Sequence, residues 1–128
     1  MFSHVMLGTD DVAASKRFYD AALGALGVPG GEVDELGRAV YSHDGGRFVI
    51  RTPLNGEQAT GANGGTLGFQ APSSEAVDAW HAAGLANGGT AIEDPPGVRN
   101  ATGGRVLYLA YLRDPAGNKI CAVHPVRG

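Results

Sequence analysis

The stretch VMLGTDDVAASKRFYDAALGALG, residues 5–27, returns in altered form as LGFQAPSSEAVDAWHAAGLANGG, residues 67–89. One constant shift lays Phe18 on Trp80, Leu23 on Leu85 and Gly27 on Gly89. Each copy reads as a short alternating strand, Ser3 to Gly8 or Gly65 to Ala71, followed by capping residues, Asp10 and Asp11 or Ser73 and Ser74, and an Ala-rich helix. Glycines 27 and 89 are expected to stop the helices. Three strand candidates follow each helix: Glu32 to Leu36, Arg38 to Ser42 and Arg47 to Thr52, then Thr90 to Glu93, Arg105 to Arg113 and Asn118 to Val123. The repeated unit is therefore βαβββ, with one module over about 1–58 and the other over about 63–128 of a single domain. NGEQATGANGG is the expected joint between the modules, and EDPPGVRNATGG is an expected loop bordering a site.

A chain of 128 residues suits one such domain. Its 10 Lys and Arg against 13 Asp and Glu give a formal charge of −3 with no basic block, which argues against nucleic acid and anionic membranes as partners. The longest apolar run, Val106 to Leu112, is far shorter than a membrane span needs. With no apolar leader at the amino terminus, a cytoplasmic location is expected. A single cysteine allows neither an internal disulfide nor a cysteine cluster for zinc. The 21 glycines, about twice the usual share, imply many tight turns.

Two βαβββ units, each with a helix on one face of a four-stranded sheet, can pair so that their bare faces curve round a shared cavity. The tandem plan, the opening HVMLGTDDVAASKRFYDAALGALG, the segment APSSEAVDAWHAAGLANGG and the closing YLRDPAGNKICAV together resemble the vicinal oxygen chelate superfamily. That group includes glyoxalase I, bleomycin and fosfomycin resistance proteins and extradiol dioxygenases. The resemblance covers nearly the whole chain and implies an α+β fold of tandem βαβββ modules forming a curved sheet around a cavity.

Strand alternation assigns faces. Val5, Leu7, Phe48, Ile50, Leu67, Phe69, Ile120 and Ala122 should meet the helices, leaving His4, Met6, Arg47, Val49, Arg51, Thr66, Gly68, Gln70, Lys119, Cys121 and Val123 on the open faces. Metal-using members of the family carry His or Glu ligands on the first, fourth, fifth and eighth strands. The resemblance places those positions at His4, Val49, Thr66 and Cys121, and His4 alone is a usual ligand. Valine and threonine do not complete a divalent site, and a thiol is a poor ligand for Mg²⁺ or Mn²⁺. No metal and no other cofactor is expected. Trp80 and Phe18 read as core anchors, Arg113 and Asp114 as structural, His81 as a surface residue, and His124 as closing the chain.

The expectation is a metal-free cavity that binds a small molecule, resembling the bleomycin resistance branch and lined by His4, Arg51, Thr66, Gln70, Tyr111 and Cys121. Cys121 is read as passive lining, with Lys119 and Arg51 as neighbours that would make its thiol reactive. The alternative is a lyase or isomerase similar to glyoxalase I, with side chains replacing the metal. The sequence assigns no catalytic residue, since no nucleophile and base pair, phosphate loop or GxSxG motif is present. The resemblance further implies a homodimer.

Overall fold

The computed structural model describes residues 1–126. Its elements run β1 (Val5–Gly8), α1 (Val12–Gly24), β2 (Glu32–Val33), β3 (Ala39–His43), β4 (Gly46–Arg51), β5 (Leu67–Gln70), α2 (Ser74–Ala86), β6 (Thr90–Asn100), β7 (Val106–Arg113) and β8 (Lys119–Val126). They form two four-stranded sheets of identical plan, ordered β1-β4-β3-β2 and β5-β8-β7-β6. In each sheet the first strand lies parallel to the fourth, Val5 beside Phe48 and Leu67 beside Ile120. The α+β tandem βαβββ reading holds. No described helix is long and apolar enough to cross a membrane.

Local chemistry explains the helix limits. The carboxylate of Asp11 accepts from the Ala14 backbone N–H and the Ser73 hydroxyl accepts from that of Ala76, so equivalent residues satisfy equivalent orphan donors. After α1, Gly27 takes a left-handed φ of 90° and the chain closes with Val28 N–H donating to the Leu23 carbonyl. After α2 the left-handed residue is Gly88, at φ 97°, not the expected Gly89. Gly89 serves packing instead: a Cβ there would come within 2.6 Å of the Phe18 ring.

Two strand expectations change. The second strand shrinks to Glu32–Val33 because Asp34 closes a turn, its carboxylate accepting from the Leu36 and Arg38 N–H groups. The expected loop EDPPGVRNATGG is mostly strand: β6 pairs Ile92 with Tyr111, then resumes with Gly97 opposite Leu109. The residues between bulge out, since Pro95 and Pro96 have no N–H to give a ladder. His124, read as a chain-closing residue, lies within β8 opposite Tyr108, its ring nitrogen bonded to the Ala71 carbonyl group.

The helix sides of both sheets feed one core. Phe18, Tyr19, Ala22, Trp80, Ile50, Leu112, Ile120 and Ala122 are fully buried in it. The Tyr19 ring lies 4.9 Å from that of Phe48, and Phe48 lies 5.4 Å from Phe69 of the other module. Each such aromatic removes enough apolar surface from water to stabilise the fold by about 1.5 to 3 kcal/mol. Because helices and helix-facing side chains of both modules meet in this core, the open faces of the two sheets lie on the outside of the chain.

Candidate functional site

Strand register defines each open face. In the first sheet Met6, Val40 and Val49 lie side by side, as do Gly8 with Arg51 and Ser42 with Arg47. In the second, Gly68, Cys121 and Tyr111 form the matching row, flanked by Lys119 opposite Arg113. Val49, Leu109 and Cys121 are buried although none belongs to the helix-side core. Each open face thus has an apolar middle with no helix over it.

The second face carries a polar cluster beside that middle. The bulge in β6 puts Glu93 at a left-handed φ of 57°, and its carboxylate pairs with the Lys119 ammonium. The same ammonium stands 4.8 Å from the centre of the Tyr111 ring. A Cβ on Gly68 would lie only 3.2 Å from the Cys121 sulfur, so glycine is what lets the thiol lie close against β5. Burial pushes the Cys121 thiol up to about 11; Lys119 opposes that rise and Glu93 adds to it. The Tyr111 phenol is also raised, by burial first and then by Cys121 and Glu93, with Lys119 and Arg99 opposing.

The six residues expected to share a cavity are not brought together in one chain. His4 precedes β1, is exposed and bonds the Ser3 hydroxyl at 2.8 Å. Arg51 ends β4 on the first open face, its Nε donating to the Thr52 carbonyl, so it is not the neighbour of Cys121 that the sequence suggests. Tyr111 and Cys121 share the second face. Thr66 and Gln70 line a cleft of about 820 Å³ between β5 and the helix side of the first sheet, where Val5, Tyr41 and Phe48 form the other wall. Sequence reasoning passed over Glu93 because the bulge, which no alternation rule anticipates, decides where its side chain goes. Lys119, named from the sequence as a neighbour of Cys121, does stand two residues before it on the same strand face.

The residues present do not fit a divalent metal. Among the described residues no group of three or more His, Cys, Asp or Glu side chains is gathered closely enough to hold one. Of the positions where the family's ligands would fall, Val49 offers no donor atom and Thr66 only a hydroxyl.

The raised thiol gives a direct prediction. At pH 8 about a thousandth of Cys121 should be thiolate, against about a quarter of an ordinary thiol. Labelling by a disulfide reagent should therefore be at least about 100-fold slower in the native protein than in denaturant. Equal rates in the two states would show an accessible, reactive cysteine.

Comparison with known proteins agrees with this architecture. The chain is 58% identical to a glyoxalase/bleomycin resistance protein from Albidiferax ferrireducens, with a TM-score of 0.92 over 97% of this chain and 98% of the other. A glyoxalase-related enzyme from Fulvimarina pelagi shares the fold at 19% identity and a TM-score of 0.69, over 97% and 87% of the two chains. Lactoylglutathione lyase from Agrobacterium tumefaciens does so at 19% identity and 0.65, over 97% and 92%. None of the curated proteins matches the chain. The profile of the Glyoxalase/Bleomycin resistance protein/Dioxygenase superfamily matches residues 1–122, and with the two βαβββ sheets and the 58% identical relative this establishes that the chain belongs to that superfamily.

Proposed function

We propose that the protein is a cytoplasmic, metal-free small-molecule-binding homodimer whose cavity forms when the first open face of one copy meets the second open face of another. The observation that carries this reading is the pair of half-built faces. Val49 on one, and Leu109 and Cys121 on the other, are shielded from water with no helix above them, beside an exposed Met6 and the side-chain-free Gly68. Such surfaces are what a ligand cavity offers: an apolar centre with a few placed polar groups. Strands β1 and β5 are short sheet edges with no neighbour on one side, and unpaired edges favour association. A two-fold pairing would create two equivalent cavities. His4, Arg51, Tyr111 and Cys121 would then line one cavity, with Thr66 and Gln70 at the β5 edge as its border.

The lyase or isomerase reading has less in its favour. A thiol held near 11 supplies almost no nucleophile at neutral pH, and the Lys119 ammonium is engaged by Glu93, so neither is a free base.

The test is light scattering followed by a thermal-shift screen of small molecules. The native protein should be a dimer at high micromolar concentration, and ligands that raise its melting temperature should do so in the wild type but not in Gly68→Val. That variant sets a branched side chain against the Cys121 sulfur on the open face, in a backbone conformation any residue adopts, since Gly68 is not left-handed. A monomer at that concentration would refute the assembly. Ligands that bind wild type and variant equally would put the site elsewhere.

A further inference from the structure

From the distribution of charge we infer that the ligand of the open faces is an organic anion: an apolar or aromatic body carrying a carboxylate, phosphonate or similar group. The inference rests on the reading of those faces as the binding surface and names the class of molecule they take. The chain as a whole is acidic, with 13 Asp and Glu against 10 Lys and Arg. Its open faces are not. Register puts Arg51 beside Gly8, Arg47 beside Ser42, Arg113 beside Lys119 and Arg99 beside Leu107, all in the same alternation as Val49 or Cys121. Half of the chain's Lys and Arg residues therefore stand on these faces. The carboxylates there are Glu32, beside Val40 at the outer strand, and Glu93, already spent on Lys119; Asp94 lies in the bulge.

The partners of these cations sharpen the point. Away from the open faces Lys16 pairs with Asp20 at 2.7 Å on α1, and in the turn between β2 and β3 Arg38 pairs with Asp34 at 2.8 Å. On them, three of the four guanidinium groups are held by neutral backbone carbonyls: Arg51 by Thr52 at 2.9 Å, Arg99 by Pro95 at 2.8 Å and Arg113 by Gly117 at 2.7 Å. A carbonyl orients a guanidinium without cancelling its charge, leaving further N–H donors for a planar anionic group. These arginines flank the apolar centres of the two faces, Met6 and Val49 on the first and Leu109 and Cys121 on the second, which suit the body of the same molecule. A cationic ligand would meet several uncompensated like charges there, and a neutral one would leave them without a counter-charge.

The experiment is titration calorimetry with matched probes: benzoate, 3-phenylpropionate and phenylphosphonate against benzamide, 3-phenylpropionamide and benzylamine. Binding is located by the methyl resonance of Met6. The anions should bind and shift that resonance, the amides and the amine should bind at least about tenfold more weakly, and anion affinity should fall as salt rises from about 20 to about 300 mM. Arg51→Gln and Arg113→Gln should each weaken anion binding about tenfold, whereas Arg17→Gln on α1 should not. If the neutral or cationic probes bind as well as the anions and shift Met6, the charge inference is wrong while the binding surface stands. If no probe shifts Met6, and a broad neutral library also fails to, the binding surface itself is wrong and the inference falls with it.

Discussion

Asp114→Ala is expected to destabilise the protein by about 3 to 5 kcal/mol, lowering its melting temperature by roughly 10 to 20 °C. Asp114 is 3% exposed and its carboxylate takes four hydrogen bonds. One oxygen accepts from the backbone N–H groups of Ala116 and Asn118 at 3.0 and 2.8 Å. The other accepts from the Tyr19 hydroxyl at 2.6 Å and the Asn118 amide at 2.9 Å. Asn118 in turn donates to the Gly8 carbonyl at the end of β1, so one carboxylate in the second module secures both α1 and β1 of the first. Alanine would leave four donors without this acceptor, three of them buried, and each buried one costs about 1 to 3 kcal/mol before relaxation. Asp114→Asn should cost roughly half as much, because the amide oxygen still serves one pair of donors. Denaturant unfolding of the two variants checks this, and a loss under about 1 kcal/mol for alanine would show that the stitch is not what holds the modules together.

The same network sets the behaviour at high pH. Burial, then Asp114, hold the Tyr19 phenol well above its ordinary value near 10, and burial followed by Asp20 raises Tyr41 likewise. Both phenols bind their protons more tightly folded than unfolded. Their stabilising contribution is therefore complete below about pH 10 and declines as pH climbs beyond it toward the folded values. Unfolding free energy measured across that range should fall steadily above pH 10, and less steeply in Tyr19→Phe.

Trp80→Ala is the second large effect, at about 3 to 5 kcal/mol, the usual cost of emptying a fully buried aromatic site. Trp80→Phe should be far milder, about 1 kcal/mol. The indole N–H of Trp80 is buried with no hydrogen-bond partner among the described residues, so phenylalanine loses ring volume but removes an orphan donor. The informative quantity is the ratio between the two variants. If Trp80→Phe proves nearly as damaging as Trp80→Ala, the indole nitrogen has a partner, such as a buried water, whose loss phenylalanine cannot repair.

Much of this fold is legible along the chain because its signals are local. The repeated alternation and caps reappear as β1 with α1 and β5 with α2, and period-two reasoning sorted Phe48 from Val49 and Ile120 from Cys121 correctly. The sequence reading failed where backbone geometry interrupts the period. Pro95 and Pro96 could not be paired, β6 bulged, and Glu93 was carried to Lys119 from a stretch that reads as loop. Likewise Gly88 and Gly89 are interchangeable on paper, and packing against Phe18 determines which one turns the chain.

Periodicity specifies which side chains share a face of one sheet, since it depends only on the two-residue repeat of an extended chain. It contains nothing about how one sheet is placed against another. The sequence was therefore sufficient for two βαβββ modules, for their buried and bare faces, and for a Cys121 that points away from the helices. It was not sufficient for the shared cavity, because that depends on contacts between residues far apart in the chain. Tyr19 reaching Asp114, Asn118 reaching Gly8 and Phe48 meeting Phe69 draw the helix sides together and send the two open faces outward. His4 and Arg51 consequently stand apart from Tyr111 and Cys121 within one copy, and the cations that alternation scatters singly along β4, β6, β7 and β8 are collected by tertiary packing onto surfaces that the net charge of −3 conceals.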